Sequence, residues 1–517
     1  MHSRGFVCGR MVLFLCLLLT ACDKQTDAEE GTEDVMRMQT KMQSEMIEYV
    51  DSTRSEKEDE EEDNIIIVHT TEGIKYSDEE MPVLYTDDWS PLDQMEQTDC
   101  NYVCRDDKVY YRQYHKDSFE EGAVFSNYQA IAGTKKEIVC MDADGKKTVL
   151  FSDQGYGNFY LVGDRFYMTE KVIKVQGDVE YDSPHIYSVD MQGQNREDYG
   201  DGEICVVDTD RNLLVLKIFS EVTGEGAFCV LNCISGEKTV LTYDPGGIMT
   251  LWDYHDGWCY FDEHIDDDIC RVVAISVEGM QKSVIALAAD QASEGHGYRE
   301  DICNLSVDDD RIYIVFGGYA GSGGYFQGGR IITAKLDGSD YRAVECCADC
   351  YFVCYEDGSP RLYFLDYFFE SGEEGKTKVW DVEKNTVSMS DFLPEMIYGQ
   401  WTQNALVHSG TDSNLLCELH GNIYALSGDL AEIVRIADRI DRKVEQRGDL
   451  EWNWDYHRGD VSYMHLYYAD GYLYFDAVFN RYDEEYTVGW REGYRRVQTN
   501  VYRLKLADGT MELLYSY

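Results

Sequence analysis

The chain has 517 residues, with 98 acidic side chains against 46 basic ones and a formal net charge of -52 at neutral pH. A field of that sign repels phosphate backbones and anionic headgroups, which excludes nucleic-acid binding and favours cationic partners or metal ions. Aromatic residues at 13% and hydrophobic residues at 44% exclude global disorder in a chain of this length.

Arg4 and Arg10 give the first residues a positive charge, and Met11 to Leu19 is an unbroken apolar run. Nine residues are too few to cross a bilayer but suit the apolar core of a signal peptide. Leu19-Thr20-Ala21-Cys22 follows and resembles the lipobox of bacterial lipoproteins. The resemblance implies cleavage after residue 21, diacylation of Cys22 and anchoring on the extracytoplasmic face of the cell membrane. An ordinary secretory signal with a cysteine near its cleavage site is the alternative. Two acyl chains, at about 0.8 kcal/mol per buried methylene, make a stable anchor.

Residues 22–63 read as a polar stalk that ends in the solvated run Glu56 to Asp63. Within it Val35, Met38, Met42, Met46 and Tyr49 recur at helical spacing, with Thr32 placed to cap a short amphipathic helix. Residues 64–96 form a connecting segment with room for one β-hairpin.

From residue 97 to 517 the chain repeats itself. Each unit has an apolar strand, an acidic or glycine turn, an aromatic strand, a variable loop, a further apolar strand, a second turn and a last strand. First turns are Asp106-Asp107, Gly163-Asp164, Asp210-Arg211-Asn212, Asp256-Gly257, Asp309-Asp310, Asp357-Gly358, Gly421-Asn422 and Asp470-Gly471. Second turns include Asp144-Gly145, Gln192-Gly193, Ser235-Gly236, Glu278-Gly279, Asp337-Gly338 and Asp508-Gly509. Asp-Gly between apolar runs is a strong hairpin signal. Four-strand units recurring about every 45 to 60 residues predict an all-β protein, a β-propeller of four-stranded antiparallel blades. Eight first turns favour eight blades, with seven as the alternative.

Tyr167-Met168-Thr169-Glu170, Tyr260-Phe261-Asp262-Glu263 and Tyr474-Phe475-Asp476-Ala477 resemble the Tyr-Trp-Thr-Asp strand of low-density-lipoprotein-receptor-type propellers. Bacterial lipoproteins carrying such propellers, of largely unknown function, are similar across most of the mature chain. No unit here has the full motif, and the vertebrate domains have six blades. The motif is structural, so the resemblance speaks to fold rather than function.

In a four-stranded blade, loops joining the second strand to the third emerge on the same face as the crossovers between blades. Segments 114–133, 171–184, 317–329, 367–376, 438–462 and 480–499 fall in this set, while the opposite turns stay short. The candidate ligand-binding residues in these loops are Tyr319, Tyr325, Trp452, Trp454, Tyr482, Tyr486, Trp490 and Tyr494. Aromatic faces among carboxylates suit sugars or cationic groups; packing of the loops against each other is the alternative.

Catalytic motifs are missing. Ser235-Gly236-Glu237-Lys238 matches Ser-x-x-Lys but falls in a hairpin turn, and Gly317 to Gly329 lacks the lysine and helix of a phosphate cradle. Acidic clusters such as Asp266-Asp267-Asp268, Glu373-Glu374 and Asp483-Glu484-Glu485 are expected in so acidic a chain, although such pairs can do glycosidase work. No cofactor or metal is expected. Calcium would suit the carboxylates, but no calcium loop is present, and Cys346, Cys347, Cys350 and Cys354 lack the second pair of a zinc ribbon. Cys100 and Cys104, like Cys229 and Cys233, would lie about 13 Å apart on one strand face, beyond disulfide reach. The expectation is therefore a membrane-anchored, non-catalytic binding or scaffolding module for protein, peptide or glycan. An exported carbohydrate-active enzyme using rim carboxylates is the alternative.

Overall fold

A computed structural model describes the strands between Lys75 and Ser516 and the short turns that join them. Residues 1–74, 87–101, 116–134, 289–300, 367–375, 391–414, 436–460 and several shorter connections lie outside the description. Lipidation at Cys22 and the helix expected in the stalk therefore fall outside the described residues. Those residues form thirty-two strands, β1 to β32 along the chain, and no helix. The chain folds as a β-propeller.

The local chemistry of the turns sets the pattern. Asp106 and Asp107 both take positive φ (52° and 58°), the two-residue turn whose twist suits a hairpin, so β3 (Tyr102–Arg105) pairs tightly with β4 (Lys108–Tyr114). β5 (Lys136–Met141) and β6 (Lys147–Asp153) complete that unit, in the order β3-β4-β5-β6. The same order recurs in the sheets over 251–288, 301–345 and 461–516. Between them a seven-stranded sheet holds two units, because β10 (Glu197–Asp208) serves both. Glu197 to Asp201 pairs with β9 (Val179–Asp190), and Gly202 to Asp208 pairs with β11 (Leu213–Phe219). Gly200 and Gly202 sit at φ 105° and 159°, and a Cβ on Gly202 would collide with the Lys217 carbonyl. Here the chain passes from the outermost strand of one unit to the innermost of the next with no intervening loop.

Burial runs from the centre outwards. β11 is buried over its first four residues, whereas β6 and β13 (Lys238–Asp244) are exposed or half-buried until their closing aspartates. Alternate residues of a central strand serve alternate seams, as the two-residue period of a strand requires. In β19 (Arg311–Ala320), Ile312, Ile314 and Phe316 pack towards the preceding unit, against Tyr260, Val272 and Leu287. Tyr313 and Val315 pack towards the following unit, against Val353, Leu362 and Trp380. Both faces are covered, so the strand reads as continuously apolar. Each fully buried side chain of this kind contributes about 1.5–3 kcal/mol.

The first and last units share such a seam: Tyr102, Val109 and Tyr111 pack with Tyr467, Tyr474 and Leu514. No strand is exchanged across it, since both sheets are built from contiguous chain. Closure rests on side chains. The Tyr102 hydroxyl donates to Asp476 at 2.6 Å, the Cys104 amide donates to the Tyr467 hydroxyl at 2.8 Å, and the Tyr515 hydroxyl donates to the Arg112 carbonyl at 2.6 Å.

Two short strands precede the first unit. β1 (Lys75–Met81) lies parallel to β25 (Thr386–Ser390), and β2 (Tyr85–Thr86) lies parallel to β28 (Ile433–Arg435). They pair with these outermost strands and not with each other, unlike the hairpin expected in this segment. Covering open edges in this way removes templates for aggregation.

Candidate functional site

The crossover face is built on a recurring aspartate that closes an outermost strand. Asp153 ends β6 with a fully buried side chain; its Oδ2 accepts from Arg112 Nε at 2.5 Å and its Oδ1 accepts from the Gly155 amide at 2.7 Å. Lys136 Nζ lies beside them and donates to the Gly155 carbonyl. Burial, reinforced by the Arg112 guanidinium, pulls the Lys136 ammonium down to about 8. Asp244, at the end of β13, repeats the arrangement. It pairs with Lys217 Nζ at 2.9 Å and accepts from the Met249 amide at 2.8 Å, while Lys217 also donates to the Met249 carbonyl at 3.2 Å. Asp201 does the same within β10, bonded to Lys174 and, at 2.9 Å, to His185 Nδ1. Burial alone would raise its pKa, but the Lys174 and His185 bonds outweigh that and lower it. In each case a cation from the second strand of the unit, reaching past the third, and an aspartate of the outermost strand clamp the chain where it crosses to the next unit. Sequence reasoning missed these residues, although Ser152-Asp153, Gly200-Asp201 and Tyr243-Asp244 stand at equivalent points of the repeat.

A second cluster lies on the same face. His264 closes β15 (Trp258–His264), Cys270 is its cross-strand partner on β16 (Ile269–Ser276), and Asp301 opens β18 (Asp301–Val307) of the following unit. His264 Nε2 is 3.4 Å from Asp301 Oδ2, and one ligand atom from each of the three residues falls within 4.8 Å of the others. Two residues before His264, Asp262 is buried and accepts from the Thr250 amide at 2.7 Å. Desolvation raises the Asp262 carboxyl above its ordinary range. Among the described residues this is the group whose chemistry fits a metal ion.

On the opposite face the aspartates hold turns. Asp308 Oδ1 accepts from the amides of Asp310 and Arg311, and its Oδ2 accepts from the Tyr313 hydroxyl at 2.8 Å. Asp208 takes the Arg211 amide at 2.8 Å and the Tyr254 hydroxyl of the next unit at 2.5 Å. These groups fix structure and offer little to a ligand.

Cys140, Cys205, Cys229, Cys233 and Cys259 are free thiols. Burial pushes the Cys205 and Cys259 thiols up to about 12, the behaviour of unreactive core residues.

Three segments expected to be loops prove to be strand arms. β8 (Arg165–Gln176) and β9 stay paired out to Gln176 opposite Val179, and β30 (Tyr472–Val488) and β31 (Arg491–Lys505) out to Val488 opposite Arg491. β19 and β20 (Tyr325–Lys335) continue to Ala320 opposite Tyr325. The signal was present in the alternation Ile173-Lys174-Val175-Gln176 followed in sequence by Gly177-Asp178, which is hairpin chemistry. Of the candidate aromatics, Tyr319 and Tyr325 stand on the β19–β20 arm, opposite Phe326 and Ala320 respectively. Tyr482 and Tyr494 are cross-strand partners on the β30–β31 arm, which also carries Tyr486. Trp452, Trp454 and Trp490 lie outside the described residues.

No family model matches the chain, and no curated protein matches its sequence. Solved structures do match. A structure of prolyl endopeptidases aligns over 81% of this chain and 50% of its own, at 10% identity and a TM-score of 0.38. The β-propeller domain of the Trilobed protease from Pyrococcus furiosus aligns over 81% of this chain and 98% of its own, at 9% identity and a TM-score of 0.33. The acylaminoacyl peptidase of Pyrococcus horikoshii aligns over 69% and 52%, at 11% identity and a TM-score of 0.36. The chain thus spans about half the length of the two peptidases, and the likeness is one of fold.

The expectation that the chain is not an enzyme is corrected by these matches, which include prolyl endopeptidase, acylaminoacyl peptidase and puromycin hydrolase. A lack of linear motifs was a poor ground for it. A site on a propeller can be assembled from separate strands and leave no contiguous signature.

Proposed function

We propose that this chain is an exported lipoprotein, held at the extracytoplasmic face of the membrane through Cys22. Its blades form an eight-membered ring that captures a cationic peptide or protein segment on the crossover face. The observation that carries this reading is the set of extended arms, β8–β9, β19–β20 and β30–β31, which leave the blades at the second-to-third-strand connection while the described opposite turns stay at two to six residues. Arms on a rigid scaffold, bearing aromatics in a chain of net charge -52, suit capture of lysine- and arginine-rich ligands by cation–π and long-range attraction.

The test is capture from solubilised membranes together with a glycan array, comparing wild type with Trp452→Ala, Trp454→Ala, Tyr482→Ala and Trp490→Ala. Loss of capture in these variants, and faster association at low salt, support the reading. Affinity within twofold of wild type in all four, with loss on altering the short-turn face, overturns it. A cytosolic or freely secreted Cys22→Ser protein supports the anchor; unchanged membrane retention refutes it. A second reading, an exported glycan hydrolase, is favoured by the raised carboxyl of Asp262 beside His264 and Asp301. Products appearing from an array oligosaccharide, and disappearing in Asp262→Asn, would establish it.

A further inference from the structure

We propose that His264, Cys270 and Asp301 bind a zinc ion at the seam between two blades, with a fourth coordination position open on the crossover face. The residues come from three strands and two successive sheets. His264 and Cys270 are direct partners in the β15–β16 ladder, so their side chains rise on the same side. Asp301 meets them from the first strand of the next sheet. Its Oδ1 accepts from the Ile302 amide at 2.9 Å, which turns Oδ2 to within 3.4 Å of His264 Nε2.

The donor set selects the ion. One thiolate, one imidazole and one carboxylate match a borderline cation that prefers tetrahedral nitrogen and sulfur ligation. Calcium and magnesium need more oxygens than a single aspartate supplies. Around tetrahedral zinc, ligand atoms sit about 3.3–3.8 Å apart. Here they already lie within 4.8 Å, so closing on the ion takes a movement of about 1 Å. The surroundings also favour occupancy. Cys270 is 3% exposed in an apolar cluster with Val272, Ile285 and Ile302, which shields the sulfur from oxidants and rival thiols. His264 and Asp301, at 22% and 41% side-chain exposure, leave a path from solvent. Asp262, two residues before His264 on the same strand, places a further buried carboxyl on the same face.

The bound ion would tie the free end of one hairpin to the first strand of its neighbour. Its fourth position would accept water or a donor group from whatever occupies this face. Binding releases the thiol proton, so affinity rises with pH.

The experiment uses the full chain, purified in detergent, reduced and stripped with a chelator, then titrated with cobalt(II) alone. Expected are one equivalent bound, a thiolate-to-cobalt charge-transfer band with tetrahedral ligand-field bands, and displacement by zinc. Cys270→Ser should abolish the charge-transfer band, and Asp301→Asn, a near-isosteric change at a half-exposed residue, should weaken binding about tenfold or more. Cys346→Ser, a buried thiol in another seam, should leave the spectrum unchanged. The proposal is overturned if the wild-type chain gives no charge-transfer band, or if the band survives Cys270→Ser or moves with Cys346→Ser. It is overturned equally if Asp301→Asn, folded by circular dichroism, binds cobalt as wild type does.

Discussion

Replacing Asp153 by Ala should destabilise the chain by about 5 kcal/mol at neutral pH. The carboxylate is fully buried and faces an equally buried Arg112 guanidinium, with Lys136 at 1% exposure beside it. Its removal leaves a guanidinium with no counter-charge, which costs roughly 3–5 kcal/mol for a buried pair broken from one side. It also strips the Gly155 amide of its acceptor, worth about 1–3 kcal/mol more. Because Lys136 titrates near 8, it can lose its proton and relieve part of the excess charge, so the damage should grow as pH falls towards 6. Arg112→Met should cost less, since the Lys136 ammonium remains to face the carboxylate. The double variant Arg112→Met/Asp153→Leu should be more stable than Asp153→Ala alone, because it removes both charges together. Urea unfolding of the full chain, followed by tryptophan fluorescence at constant slope, measures each difference. An Asp153→Ala midpoint within about 1 kcal/mol of wild type would refute the reasoning, by showing that Arg112 reaches water.

Two further outcomes follow from the same geometry. The Lys136 pKa is lowered from 10.5 to about 8 in the folded chain, so the unfolded chain binds more protons between those values and stability should rise with pH through that window. The full cost, about 3 kcal/mol, is present below about 8. Lys136→Met should flatten the rise, and parallel stability curves for the two proteins from pH 7.5 to 10 would contradict the assignment. Gly193 and Gly236 hold equivalent turn positions at φ 72° and 71°, but a Cβ on Gly193 would collide with the Phe151 ring whereas one on Gly236 meets nothing within 4 Å. Gly236→Ala should therefore cost about 1 kcal/mol and Gly193→Ala about 2 kcal/mol more, and equal midpoints in urea would show that the ring gives way freely.

The His264–Cys270–Asp301 cluster and the aspartate clamps were invisible along the sequence for one reason. Cys270 and Asp301 are far apart in the chain, and nothing local marks either as a partner of His264. Asp153, Asp201 and Asp244 were individually visible but lost among 98 acidic residues, and only burial against Arg112, Lys174 and Lys217 distinguishes them. The strand arms were a misreading of available signal. Lys171 to Gln176 and Val179 to Pro184 alternate as strands do, but their position between two core strands suggested a loop.

The sequence by itself determined the repeat, the all-β class and the tight turns. These depend on local preferences: Asp106-Asp107 and Gly163 reach positive φ cheaply, and runs such as Ile312 to Phe316 demand cover on both faces. Tertiary structure alone decided how the ring closes, which edges β1 and β2 protect, and which polar groups meet. Closure by Tyr102 on Asp476 joins residues 374 positions apart, and β1 reaches β25 across more than half the chain. Such pairings follow from where whole blades come to rest, and no local preference at either end encodes them.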